Sequence, residues 1–272
     1  MKNTKIIPQR VGRHLLLGEL RIHYVKVGSG HPPLVLLPGI TSPAATWEFV
    51  AERLAAFADV YVMDIRGRGL SSGGAHLSYQ LDDYAQDVQG LIDALGLDHP
   101  TVLGHSMGAR IAVRFAAQSA TALGKLILVD PPVSGPGRRP YPIALPYYLE
   151  SIREVSEGRG YAAIKAQFGW TEEQIEARME WLPTCDPFAI AETHRSFHEE
   201  SIHDDLAHID TPALLLYAER GNTVTDEDAA EFTLAMGNCT AQKILDAGHM
   251  IPWDQLDAFV AAVADFIAPV RK

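Results

Sequence analysis

The chain has 272 residues, of which 47% are hydrophobic and 21% charged; this is ordinary globular composition, long enough to bury a sizeable core, and it excludes a disordered polypeptide. A net charge of −11 argues against nucleic acid or an anionic membrane surface as partner. It leaves a small molecule, anionic ones included, because a few local cations outweigh a distant acidic surface.

The sequence contains no apolar run long enough to span a membrane, and the N-terminal MKNTKIIPQR lacks the apolar segment of a secretory signal. Cys185 and Cys239 lie far apart with no redox or metal-ligand spacing, so no disulfide framework is expected. These features predict a cytoplasmic protein acting on a small-molecule substrate, as a monomer or homodimer.

In chain order, Leu20–Val27 alternates like a strand and is closed by a Gly-Ser-Gly turn. Leu34–Leu37 and Val60–Asp64 are continuous apolar runs, as expected of strands buried on both faces. Asp82–Leu95 reads as a helix with acidic residues at its start and Gly96 at its end. Thr101–Leu103 is a short strand, Gly104 begins a sharp turn into a helix over Met107–Ser119, and Lys125–Val129 is again a buried strand. From Pro131 to about Asp210 no strand signal appears, but Tyr147–Glu157 and Glu172–Trp181 have helical patterns. The strands resume with Ala213–Tyr217 and a run near Ala241–Leu245, flanked by helices near Asp226–Met236 and Asp254–Ile267. This alternation predicts an α/β fold with a mostly parallel central sheet flanked by helices. Residues 1–131 and 211–272 are expected to form the core domain. Residues 132–210 are expected to form an inserted helical cap over the C-terminal ends of the strands, where open α/β sheets bind ligands.

Gly104-His105-Ser106-Met107-Gly108 matches G-x-S-x-G in the setting that gives the motif meaning, between a strand and a helix. Two glycines allow backbone and helix to crowd around a strained nucleophile, Ser106; the alternative is a plain helix N-cap. His249 follows the last strand, late in the chain, as the order Ser…Asp…His requires of a general base. The acid is less regular. The segment after the Ala213 strand lacks an aspartate at the usual place, and Glu219, Asp226 and Glu227 are poorly placed. Asp130 stands at the end of the strand next to the nucleophile strand, as triad acid or as a cap of the following loop. Oxyanion donors are expected at the backbone N–H groups of Ile40 and Met107. Arg138 and Arg139, near Tyr141 and Tyr148, are either a solvated basic turn or a carboxylate-binding group. His194, His198 and His203 are too loosely spaced to read as a metal site, and no metal or other cofactor is expected. Gly67-Arg68-Gly69 reads as a strand-end loop.

With these motifs placed, the chain from about residue 15 onward resembles the α/β-hydrolase family. The blocks LLPGITSPAATWEFVAERL, DIRGRGLSS, GHSMGAR, LVDPPVSGPGRRPYP and AGHMIPWD are similar to the N-formylmaleamate deformylases of nicotinate degradation within it. That resemblance implies a serine hydrolase that cleaves the N-formyl amide bond of N-formylmaleamate to maleamate and formate through a formyl-serine. It also implies a triad acid after the strand before the cap, in agreement with Asp130. A carboxylesterase, lactonase or C–C bond hydrolase of a small carboxylated substrate would use the same triad.

Overall fold

The computed structural model describes residues 10–119 and 121–268, so the N-terminal stretch read for a secretory signal lies almost entirely outside the described residues. The strands are β1 (Arg10–Leu17), β2 (Leu20–Val27), β3 (Pro33–Leu37), β4 (Asp59–Met63), β5 (Thr101–His105), β6 (Lys125–Val129), β7 (Ala213–Ala218) and β8 (Cys239–Ile244). The helices before β6 are α1 (Glu48–Leu54), α2 (Leu81–Leu95) and α3 (Met107–Gln118). Between β6 and β7 lie α4 (Leu145–Ser156), α5 (Tyr161–Gln167), α6 (Glu172–Trp181), α7 (Pro187–Glu199) and α8 (His203–Leu206), with no strand among them. The chain ends with α9 (Asp226–Ala235), α10 (Ile251–Asp254) and α11 (Leu256–Ile267).

The strands form an eight-stranded sheet in the order β1-β2-β4-β3-β5-β6-β7-β8. β1 and β2 run antiparallel to their neighbours, and from β4 to β8 every pairing is parallel. Alternate side chains of the central strands enter separate cores on the two faces: Val35, Leu126, Leu128 and Leu215 on one, Leu34, Leu36, Ile127 and Leu216 on the other. The sheet is therefore covered on both sides, which is why these strands read as unbroken apolar runs. Outside the segment between β6 and β7, where α5, α7 and α8 join the two expected helices, β1 and α1 are additions to the expected elements. β1 is an edge strand whose side chains are mostly exposed or half-buried, so it carries no hydrophobic pattern; α1 is a single short helix of 7 residues. The helix expected over Asp254–Ile267 is divided, because Gln255 takes a non-helical conformation between α10 and α11.

The turn that carries Ser106 depends on close backbone approach. A Cβ on Gly104 would lie 2.1 Å from the Gly108 carbonyl oxygen, and a Cβ on Gly108 would lie 1.9 Å from the Leu37 carbonyl oxygen at the end of β3. Both obstacles are backbone, so neither can swing aside. The pair of glycines thus sets how tightly α3 packs on β5 and β3. Gly108→Ala is expected to cost about 3 kcal/mol through overpacking, read as a lower urea midpoint at unchanged m-value.

Candidate active site

Parallel register decides where the reactive side chains emerge. His105 pairs with Val129, so Ser106 and Asp130 are the next residues on adjacent strands. The Ser106 N–H donates to the Val129 carbonyl at 2.8 Å and the Asp130 N–H to the Leu216 carbonyl at 2.8 Å. Immediately afterwards both residues turn out of the sheet with positive φ, 53° for Ser106 and 47° for Asp130. Non-glycine residues rarely adopt this region, and strain of this kind gathers at functional sites.

His249 sits on the loop between β8 and α10 and closes the space between them. Its Nε2 lies 2.9 Å from Ser106 Oγ and its Nδ1 lies 2.6 Å from Asp130 Oδ2. A carboxylate at Nδ1 places the proton there and leaves the Nε2 lone pair directed to the serine hydroxyl. Asp130 is fully buried, and its other oxygen accepts the Ala218 N–H at 3.3 Å. Thr223 Oγ1 also lies 3.2 Å from His249 Nδ1, so the loop after β7 supplies a hydroxyl where an acid is more usual. Glu219 caps the Asp246 N–H at 2.9 Å instead of meeting the imidazole. Behind the serine, His105 Nε2 donates to the His249 carbonyl at 2.9 Å and fixes the histidine loop. Burial, with His249 nearby, pushes the His105 pKa down to about 3, so it is a neutral strut.

Ser106 opens into a cavity of about 210 Å³ with mainly apolar walls. Tyr141, Tyr147, Tyr148, Phe168, Trp170 and Ile143 line it from the segment between β6 and β7; Ile40 and Thr41 line it from the loop after β3. The Tyr141 and Tyr148 hydroxyls hydrogen-bond at 2.7 Å. Burial raises both phenols, Tyr141 to about 12, so the pair stays neutral and can pass a donor into the cavity. The Ile40 and Met107 N–H groups have no acceptor among the described residues. Met107 directly follows Ser106 in the chain, and Ile40 lines the same cavity as Ser106, an arrangement that suits an oxyanion hole.

Arg138 and Arg139 do not line this cavity. Arg138 makes a two-pronged ion pair with Glu231, one prong at 2.9 Å. Arg139 pairs with Asp228 and donates to the Thr223 carbonyl at 2.8 Å. Both guanidinium groups tie the segment after β6 to α9, an intramolecular anchor in place of the expected carboxylate site. The cation that does line the cavity is Arg178 of α6, half-buried and donating to the Thr41 carbonyl and to Thr41 Oγ1 at 2.9 Å. Its partners among the described residues are neutral, which leaves its charge available to an anion. Nearby, the Trp170 indole N–H is buried without an acceptor among the described residues. Sequence reasoning missed Arg178 because one arginine in a polar helix carries no positional signal. His194 Nε2 donates to the Ile143 carbonyl at 2.8 Å, and no group of three potential metal ligands occurs among the described residues. Cys185 and Cys239 are both free.

The sequence pattern of the alpha/beta hydrolase family matches residues 34–262. N-formylmaleamate deformylase of Pseudomonas putida is 48% identical over 257 residues, covering 94% of this chain and 96% of that protein. The crystal structure of an N-formylmaleamic acid deformylase from Pseudomonas putida superposes with a TM-score of 0.88 at 45% identity, covering 93% of this chain and 100% of that one. More distantly, a 2-hydroxy-6-oxononadienedioate/2-hydroxy-6-oxononatrienedioate hydrolase of Burkholderia vietnamiensis is 26% identical over 267 residues, 92% of this chain and 91% of that protein. Sheet order, nucleophile turn and these likenesses agree: the chain belongs to the α/β-hydrolase family.

Proposed function

We propose that this protein hydrolyses the N-formyl amide of N-formylmaleamate, giving maleamate and formate, with Ser106, His249 and Asp130 as its catalytic triad. The observation that carries the reading is the unbroken hydrogen-bonded relay from Asp130 through His249 to Ser106, at the floor of a cavity whose wall holds a guanidinium with no carboxylate partner among the described residues. Its close likeness to a deformylase of that substrate supports the choice of amide.

His249 Nε2 takes the Ser106 hydroxyl proton as Oγ attacks the formyl carbon. The tetrahedral oxyanion is held by the Ile40 and Met107 N–H groups. The imidazolium then donates its Nε2 proton to the departing maleamate nitrogen, the C–N bond breaks, and a formyl-serine remains. Water, deprotonated by the same nitrogen, attacks the formyl-serine; collapse releases formate and returns the proton to Ser106 Oγ. Asp130 keeps the imidazole in its productive tautomer and stabilises the imidazolium, with the Thr223 hydroxyl as second contact. Arg178 receives the substrate carboxylate, and the Tyr141–Tyr148 pair and the Trp170 N–H meet its remaining polar atoms. In this reading residues 132–210 act as a cap over a core of residues 1–131 and 211–272, and the cap supplies the substrate-recognising wall.

Formate release from N-formylmaleamate by the purified protein tests the reaction, and Ser106→Ala is expected to abolish it. Retained ester hydrolysis without formate release would keep the triad and discard the substrate. Asp130→Asn should lower kcat about 10⁴-fold, as a wrong-tautomer histidine does, whereas Glu219→Ala should leave kcat within about twofold. Arg178→Gln should raise KM roughly 10- to 100-fold, the worth of a charge-assisted hydrogen bond, with a smaller change in kcat. Equal KM values for Arg178→Gln and the unaltered protein would refute the carboxylate assignment.

A further inference from the structure

Arg68, in the loop after β4, is 1% exposed, and it is the centre of a network that the triad chemistry leaves unexplained. Its Nε donates to the Ile40 carbonyl at 3.0 Å. One terminal nitrogen donates to the Arg66 carbonyl at 2.9 Å and to the Tyr84 hydroxyl at 2.9 Å. The other donates to Thr193 Oγ1 of α7 at 2.7 Å and approaches the Met107 thioether sulfur at 3.6 Å. A single side chain therefore touches both residues to which the oxyanion donors are assigned, and also a helix of the segment between β6 and β7.

We propose that Arg68 is a positioning residue that sets the oxyanion hole and couples it to the seating of α7. The proposal rests on the serine-hydrolase reading but not on which acyl substrate is used. Three consecutive carbonyls of the loop after β3 are held by donors: Gly39 by the Ser42 N–H at 3.1 Å, Ile40 by Arg68, and Thr41 by Arg178. With the peptide planes on both sides of Ile40 fixed, its N–H cannot rotate away from the position where negative charge develops. Such fixed donors stabilise a transition state without reorganising during the reaction. The chemistry of the partners argues the same way. Arg68's hydrogen-bond acceptors among the described residues are all neutral, and two of them belong to the residues assigned as oxyanion donors, Ile40 and Met107.

The link to α7 runs through Thr193, which is 1% exposed, donates to the Ala189 carbonyl at 2.7 Å and meets the Tyr84 hydroxyl at 2.6 Å. When α7 sits in this place, Arg68 has its full set of acceptors and the Ile40 carbonyl is held. If α7 withdraws, a guanidinium terminus loses its acceptor and the loop loosens. The hole is then assembled only under a seated cap, which restricts acyl activation to an enclosed substrate.

The experiment compares Arg68→Lys and Thr193→Val with the unaltered protein. Thr193→Val keeps the shape of the side chain but removes the acceptor, so it answers even if Arg68→Lys does not fold. kcat and KM are measured for formate release and for Ser106-dependent hydrolysis of p-nitrophenyl acetate, and affinity is measured for phenylboronic acid, which forms a tetrahedral adduct on the serine. Both variants are expected to lose roughly 10- to 100-fold in kcat on either substrate with KM within about twofold, and to lose boronate affinity in the same proportion. A folded variant pair with unaltered kcat and boronate affinity, or with a loss confined to KM, overturns the proposal. Esterase activity that survives Ser106→Ala would instead show that the serine reading itself is at fault.

Discussion

The Ser106 N–H to Val129 carbonyl bond and its counterpart from the Asp130 N–H to Leu216 extend the ladder one residue past β5 and β6, and there both chains leave the sheet in the left-handed region. Conformations of this kind cost about 1–3 kcal/mol each in non-glycine residues and survive only where the surroundings over-determine them. Here the surroundings are the buried parallel strands β3, β5, β6 and β7 and two glycines with no room for a Cβ. Everything else in the site is referred to these two points. The serine oxygen stands above the start of α3, and the carboxylate stands beside it on the next strand. The imidazole then has only one place in which to meet both.

In that arrangement the carboxylate that meets the imidazole is Asp130, at the end of β6. The loop after β7 still contributes: Thr223 reaches the same imidazole nitrogen, and the Ala218 N–H holds the free oxygen of Asp130. Arg139 in turn grips the Thr223 carbonyl while pairing with Asp228. Arg139 thus locks the loop that surrounds the histidine, while Arg138 fastens the segment after β6 to Glu231 of α9.

Arginine has a further structural use in this molecule. Arg110, completely buried on α3, donates to the Pro132 and Ser134 carbonyls at 2.8 and 2.9 Å and to the Glu200 carbonyl at 2.6 Å. Burial lowers its pKa to about 10, still far above neutrality. One cation on the helix that follows Ser106 therefore fastens both the departing and the returning chain of the segment between β6 and β7. Arg178 works from the opposite side, joining α6 to Thr41. The cavity wall is built from aromatic rings, but backbone carbonyls held by guanidinium groups decide where that wall stands.

Much of this was legible in the sequence because the determinants are local. Glycine spacing around Ser106 reports a backbone conformation, apolar runs report strands covered on both faces, and the late position of His249 reports chain order. Leu20–Val27, Lys125–Val129 and Glu172–Trp181 have the same limits in the sequence reading and in the structure. β1 escaped notice because an exposed edge strand has no buried face to impose a pattern. The functions of arginine could not be read from order along the chain. Arg138, Arg139 and Arg178 are chemically alike, and only the folded structure shows that the first two meet Glu231 and Asp228 while the third meets neutral atoms in a cavity. The charge of a side chain is a property of its residue, whereas its availability depends on partners brought from distant segments, and folding alone assigns those.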